Sequence, residues 1–195
     1  MKKYKKKETI FSEGNSPNFL YFLVKGKVKT YKAHEYGKEL ITSLYKEGDF
    51  FGYTTLLEDK AYTETAEALE DSEICLVPKE DFYSLMYGSI HVMKSFIKML
   101  SDNIADKEKQ LINLAYSSVR KRVAEALLLL QERYDNNKEK SFSISISRED
   151  LANIVGTATE SLIRTLSDFK EEKLVEIKGS NITIVNLEKL KKLKA

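Results

Sequence analysis

With 195 residues and 42% hydrophobic content, the chain is long enough for one or two domains with real cores and is not compositionally disordered. Its 32 Lys and Arg oppose 30 Asp and Glu, so the net charge of +2 names no polyanionic partner, and a DNA-binding case depends on where the charge sits. The one cysteine, Cys75, excludes an intrachain disulfide and any multi-cysteine metal or iron–sulfur centre built from a single chain.

The opening stretch MKKYKKKETIF is basic with no apolar run behind it, and reads as neither a signal peptide nor an anchor. No segment reaches the roughly 18 apolar residues of a membrane span, so a cytoplasmic location without a membrane partner is expected. Five of the eight glycines, Gly14, Gly26, Gly37, Gly48 and Gly52, punctuate the chain before Gly88. Between them, residues 19–24, 27–32 and 39–45 are rich in Val, Ile, Tyr, Phe and Thr, which suit a pleated, half-buried surface. Residues 72–77 form a further strand-like run, stopped by Pro78. The tight glycine spacing predicts antiparallel hairpins and a small β-sandwich or β-roll. Residues 79–87 predict a short helix: Pro78 suits its start, Glu80 and Asp81 its first turn, and Gly88 its break.

From Ile90 the period changes. Ile90, Met93, Ile97, Leu100, Ile104, Lys107, Leu111 and Leu114 alternate by three and four, a heptad seam with one charged exception. A helix of about 25 residues on this pattern is either laid on the domain core or paired in parallel with a second copy. A second helix is expected over residues 118–134, with Val119, Val123, Ala126, Leu127 and Leu130 on one face and Leu128 and Leu129 widening it. Residues 135–140 are polar and charged and predict a surface loop.

The last third carries the chemistry. Ser147 followed by Asp150 predicts a capped helix with Leu151, Ala152 and Val155 inward, ended by Gly156 at a reversal that needs positive φ. Thr157 and Glu160 read as a second capping box, opening a helix through Leu162, Leu166 and Phe169 toward Lys173. Two short helices joined by a glycine turn predict a helix-turn-helix. Residues 174–178, the turn Gly179-Ser180-Asn181 and residues 182–185 then predict a β-hairpin wing. Residues 147–195 hold nine Lys or Arg and eight Asp or Glu, so distribution matters more than sum. Arg164 lies on the polar side of the second helix, Lys170 and Lys173 follow it, and Lys178 sits by the wing. Arg120, Lys121 and Arg122 cluster at the start of the preceding helix, where they could meet backbone phosphates.

At these residues the chain resembles the catabolite-activator and fumarate–nitrate-regulator (Crp/Fnr) superfamily of bacterial transcription factors. The sensor half carries Gly48-Asp49-Phe50-Phe51-Gly52, Thr65-Ala66-Glu67-Ala68 and Cys75-Leu76-Val77-Pro78. The DNA half carries Ser147-Arg148-Glu149-Asp150-Leu151-Ala152, Ile154-Val155-Gly156-Thr157 and Thr159-Glu160-Ser161-Leu162-Ile163-Arg164. The resemblance covers nearly all of residues 8–187. It implies an α+β fold: a cyclic-nucleotide-binding-like β-roll (jelly roll), a long dimerisation helix and a winged helix-turn-helix. It also implies a homodimer on a near-palindromic operator that recruits or blocks RNA polymerase under control of an effector state.

The departures are as informative. Tyr53 stands where cyclic-nucleotide binders of the family carry an acidic ribose ligand, and Tyr62-Thr63-Glu64-Thr65 offers no arginine for a cyclic phosphate. Cyclic AMP binding of the family's usual kind is therefore not expected. Cys75 alone cannot supply the cluster of the oxygen-sensing members, and no cofactor is identified. Thr159 replaces an arginine of the cyclic-AMP-binding activators.

The expected division is an effector domain over 1–88, a dimerisation helix over 89–116 and a DNA-binding domain over 117–195. Base reading is assigned to Glu160, Arg164 and Thr159, and backbone contact to Ser147, Thr157, Ser161, Lys178, Arg120 and Arg122. Gly52, Tyr53, Thr54, Tyr62 and Thr63 line the effector pocket, for an unidentified small molecule if there is one. Met93, Ile97, Leu100, Ile104, Leu111 and Leu114 form the dimer interface. An enzyme on a β-roll, such as a cupin, would need a histidine-rich metal set, and only His34 falls in residues 1–88. The alternative function is a protein-interaction or sensory module with a degenerate helix-turn-helix. Glu160 and Arg164 oppose it, and a salt-dependent DNA-binding assay separates the two.

Overall fold

The structure is a computed structural model that describes residues 1–34, 37–135 and 143–193. The chain divides into two compact units, residues 1–106 and 107–195.

In the first unit, β1 (Lys2–Tyr4), β8 (Ser72–Pro78), β3 (Phe19–Lys25) and β6 (Phe50–Phe51) form one antiparallel sheet in that order. A second antiparallel sheet runs β2 (Thr9–Phe11), β7 (Thr65–Ala68), β4 (Val28–Ala33), β5 (Glu39–Tyr45). Their facing side chains enclose an aromatic-rich core of Tyr4, Phe11, Tyr21, Leu23, Val28, Phe51, Tyr62, Ala66, Ala68 and Ile74. This is the expected β-roll, and its four longest strands fall where glycine-bounded β-branched and aromatic runs placed them.

Strand β3 is buried on both faces, which explains its weak alternation. Tyr21 and Leu23 point into the roll, while Leu20 points outward to a second cluster. There it meets Tyr53 and Leu56 of α1 (Tyr53–Glu58) and Phe82 and Met86 of α2 (Lys79–Gly88). Helix α2 ends one residue later than its glycine suggests, because the extended backbone at Ser89 makes the break. The long helix α3 (Ile90–Tyr116) has 27 residues, none of them fully buried. Its Val92, Met93, Phe96, Met99 and Leu100 pack on the second cluster.

In the second unit, α4 (Val119–Tyr134) is capped by Ser118, whose side chain accepts from the Lys121 amide. It buries Val123, Ala124, Ala126, Leu127 and Leu130, whereas Leu129 stays exposed. The surface loop expected over 135–140 lies, from residue 136 on, outside the described residues. A short strand β9 (Ser143–Ser145) precedes α5 (Arg148–Val155) and α6 (Thr159–Glu171), then come β10 (Val175–Lys178), β11 (Asn181–Ile184) and α7 (Leu187–Lys192). The wing is three-stranded, in the order β10-β11-β9. No helix among the described residues is long and apolar enough to cross a membrane.

Candidate nucleic-acid interface and sensor pocket

The helix-turn-helix is built by local chemistry. Ser147 caps α5: its hydroxyl accepts from the Asp150 amide at 2.9 Å and donates to the Asp150 carboxylate at 2.6 Å. Gly156 closes α5 in the left-handed region at φ 67°, with its amide bonded to the Ala152 carbonyl. Thr157 does not cap the next helix, contrary to the expected capping box. Its amide is drawn back to the Ala152 carbonyl at 3.1 Å, the turn extends by one residue, and Ala158 becomes the cap of α6 with no side chain to offer.

Helix α6 buries Leu162, Thr165, Leu166 and Phe169. Glu160 and Arg164 are exposed on its outer side, one turn apart, and neither engages another side chain among the described residues. Thr159 and Ser161 are half-buried beside them. Lys178 is exposed at the end of β10, next to the tight turn at Gly179 and Ser180. Sequence reasoning missed Arg148. Its guanidinium donates to the Gly179 carbonyl at 2.8 Å and reaches that of Ser180 at 3.5 Å, tying the start of α5 to the wing turn.

Two of the expected phosphate contacts, Arg120 and Arg122, have partners within the second unit. The Arg120 Nη2 lies 2.6 and 2.8 Å from the two Glu172 carboxylate oxygens, and its guanidinium lies over the Phe169 ring. Arg122 donates to the Leu114 carbonyl at 3.1 Å and so satisfies the last turn of α3. Both side chains look like free cations in the sequence and are engaged within the unit.

The sensor residues fall into two groups. Tyr62 is buried and stacks on Phe11 at 3.8 Å between ring centres. The stack continues from Phe11 to Tyr21, Phe51 and Tyr45 at 5.1–5.3 Å. The Tyr62 hydroxyl is buried without a hydrogen-bond partner among the described residues. Gly52 sits at φ 77°, and a Cβ there would stand 2.9 Å from the Tyr21 ring, so the cassette turn closes tightly on the stack. Tyr53 is also buried, and its hydroxyl accepts from the Asn103 amide of α3. Thr54 and Thr63, by contrast, are exposed. Burial raises the Tyr53 hydroxyl above its ordinary pKa, with the Asn103 bond opposing and Asp49 and Glu64 adding to the rise. Tyr45 is raised in the same way by burial and then by Glu64. Glu64 in turn accepts from the Thr42 hydroxyl at 2.5 Å. Asp49 and Glu64 thus lie near enough to the Tyr53 hydroxyl to disfavour its ionisation.

The expected dimer residues divide too. Met93 and Leu100 are turned toward their own β-roll. Ile90, Ile97, Ile104 and Leu111, at seven-residue spacing, remain 54–68% exposed, and Leu114 is half-buried. Among the described residues no group of three or more His, Cys, Asp or Glu could hold a metal ion.

Comparison with known proteins adds to this geometry. The model of the cyclic nucleotide-binding domain matches residues 1–88, and that of the Crp-like helix-turn-helix domain matches residues 121–193. The fumarate and nitrate reduction regulatory protein of Vibrio cholerae is 27% identical over 194 residues, covering 98% of this chain and 77% of its own length. The structure of FixK2 from Bradyrhizobium japonicum superposes with a TM-score of 0.88 at 24% identity, over 100% of this chain and 96% of its own. A CRP-family transcriptional regulator from Thermus thermophilus gives 0.86 at 23% identity, over 100% and 96%.

Proposed function

The chain belongs to the Crp/Fnr superfamily of transcription regulators, and from that membership we propose that it acts as a homodimer that binds a near-palindromic DNA operator and recruits or blocks RNA polymerase. It is a DNA-binding regulator and not an enzyme. The observation that carries the reading is α6: Glu160 and Arg164 stand exposed on its outer side, without a side-chain partner among the described residues, in the unit whose wing presents Lys178. Arg164 is suited to guanine O6 and N7 and Glu160 to cytosine N4, so together they read a C·G step, with Thr159 beside them. Lys178, Thr157, Ser161 and Ser147 hold the backbone. The uncapped N-terminus of α6 favours a phosphate there as well.

The division of labour is a sensor over 1–88, a dimerisation helix over 89–116 and a DNA-binding domain over 117–195. The row Ile97, Ile104 and Leu111 supports pairing with a second copy, because these aliphatic side chains and Ile90, at heptad spacing, are each more than half exposed among the described residues. The sensor does not take a cyclic nucleotide in the family's usual way. Aromatic rings fill the roll, and Glu64 and Asp49 would repel a phosphate. Selection of genomic fragments bound by the purified protein tests the whole reading. Enrichment of one two-fold-symmetric sequence, with binding that weakens steeply as salt rises, is the expected result. Binding without sequence preference contradicts it.

A further inference from the structure

On α6 the inward positions are Leu162, Thr165, Leu166 and Phe169, all buried. Ile163 is not among them and stays 46% exposed. A β-branched aliphatic residue on the solvent side of a helix adds nothing to helix propensity and leaves apolar surface in water. Its placement is specific. Ile163 lies one turn beyond Thr159, just as Arg164 lies one turn beyond Glu160, and the two rows run side by side. Thr159 and Ile163 thus flank the charged pair already assigned to a C·G step.

We propose that Ile163 is a further specificity determinant of this helix and reads a thymine C5-methyl in the base pair next to the one read by Glu160 and Arg164. Ile163 can neither donate nor accept a hydrogen bond. In the major groove the apolar group that distinguishes one base from the others is the thymine methyl. A protein partner is a poor fit for this side chain, because its neighbours along this side of the helix, Thr159, Glu160 and Arg164, are polar. The inference rests on the DNA-binding reading above and deepens it.

The test uses the full-length protein and its selected operator. Each thymine is replaced singly by deoxyuridine, which removes only the methyl. Wild-type protein loses affinity about fourfold at one position of each half-site, the effect of one buried methyl group. Ile163→Ala binds more weakly and becomes indifferent to that replacement, while Ile163→Val retains the dependence. If Ile163→Ala keeps the full deoxyuridine sensitivity at every position, or if wild-type protein shows none, the inference is overturned while the DNA-binding reading stands. If no operator is bound at all, the DNA-binding reading falls and takes the inference with it.

Discussion

Arg148, the first residue of α5, donates from its guanidinium to the carbonyl of Gly179 at 2.8 Å. A cation at a helix N-terminus faces the positive end of the helix dipole, so the position is unfavourable unless something offsets it. Here the carbonyls of Gly179 and Ser180 do so. The contact ties the wing turn to the first helix of the helix-turn-helix, and it sets where Lys178 stands.

Arg148→Ala therefore lowers the stability of the second unit by up to about 1.5–3 kcal/mol, the range for a hydrogen bond to a charged group, and weakens operator binding as the wing turn loosens. The loss is the same on every operator sequence. Arg148→Lys restores little of it, because a single ammonium lacks the planar fork that reaches two carbonyls. Full rescue by lysine would instead mark Arg148 as a simple phosphate contact.

Arg164→Ala and Lys178→Ala separate base reading from backbone attraction. The first costs ~1–3 kcal/mol, concentrated at one base pair of each half-site. The second weakens all sequences alike and lowers the salt slope by about 1. Binding curves against the operator and its single-base changes decide between them. Equal loss on every sequence for Arg164→Ala would make that residue a phosphate clamp.

What the sequence revealed and what it hid follow from locality. The cap of Ser147 on Asp150, the reversal at Gly156 and the wing turn at Gly179 involve neighbours in the chain, so their chemistry is legible from spacing. Strands β1 and β2 are three residues each, and their partners stand more than 50 residues away, as with Lys2 opposite Ile74 and Thr9 opposite Glu67. No local pattern announces them. The partner of Arg120, Glu172, is 52 residues away, and that of Arg122 is a main-chain carbonyl, Leu114, across the break between two helices, so no residue pattern announces either contact. Thr157 failed as a cap because tertiary turn geometry, not the residue pattern, sets the first residue of α6. Ile163 adjoins the inward Leu162 in the chain, so in the sequence it reads as part of the same apolar stripe, whereas it is 46% exposed.

The two rows of α3 predict unequal effects. Ile97→Asp with Ile104→Asp gives monomers and abolishes tight operator binding, because both positions are exposed in the single chain and need cover. The same change at Leu100 lowers the stability of the sensor unit first, since Leu100 packs against its own second cluster. Light scattering and thermal unfolding distinguish the outcomes. A monomeric wild-type mass at micromolar protein contradicts the assembly. Half-sites about 34 Å apart follow if the dimer forms.

Cyclic AMP is expected to give no binding heat in calorimetry and no shift in thermal unfolding. Tyr62 is packed inside the roll against Phe11, Tyr53 is held by Asn103, and the stretch Tyr62-Thr63-Glu64-Thr65 offers a phosphate a carboxylate and no arginine. Micromolar affinity would overturn this. Gly52→Ala destabilises the sensor unit by about 1–3 kcal/mol, through left-handed strain and the collision with Tyr21.

The buried tyrosines make stability fall in alkali. Burial raises the hydroxyls of Tyr21, Tyr53 and Tyr62, and the contact between Tyr21 and Tyr62 raises Tyr62 further. In the unfolded chain these groups ionise near an ordinary tyrosine pKa of about 10. Above that pH the unfolded state binds fewer protons than the folded state, so the unfolding free energy decreases as pH rises. Below it the groups are neutral in both states and contribute no slope. The denaturant midpoint is therefore flat in this respect up to about pH 10 and declines beyond it, with the buried tyrosines' share of the tyrosinate absorbance appearing together with unfolding rather than before it. Tyr62→Phe makes the decline shallower. At neutral pH it changes stability by no more than about 1 kcal/mol, because the ring stays stacked on Phe11 and only the contact of its hydroxyl with that of Tyr21 is lost. A larger loss on Tyr62→Phe at neutral pH means that the hydroxyl has a further partner in solution, and that the roll interior is wetter than its aromatic packing implies.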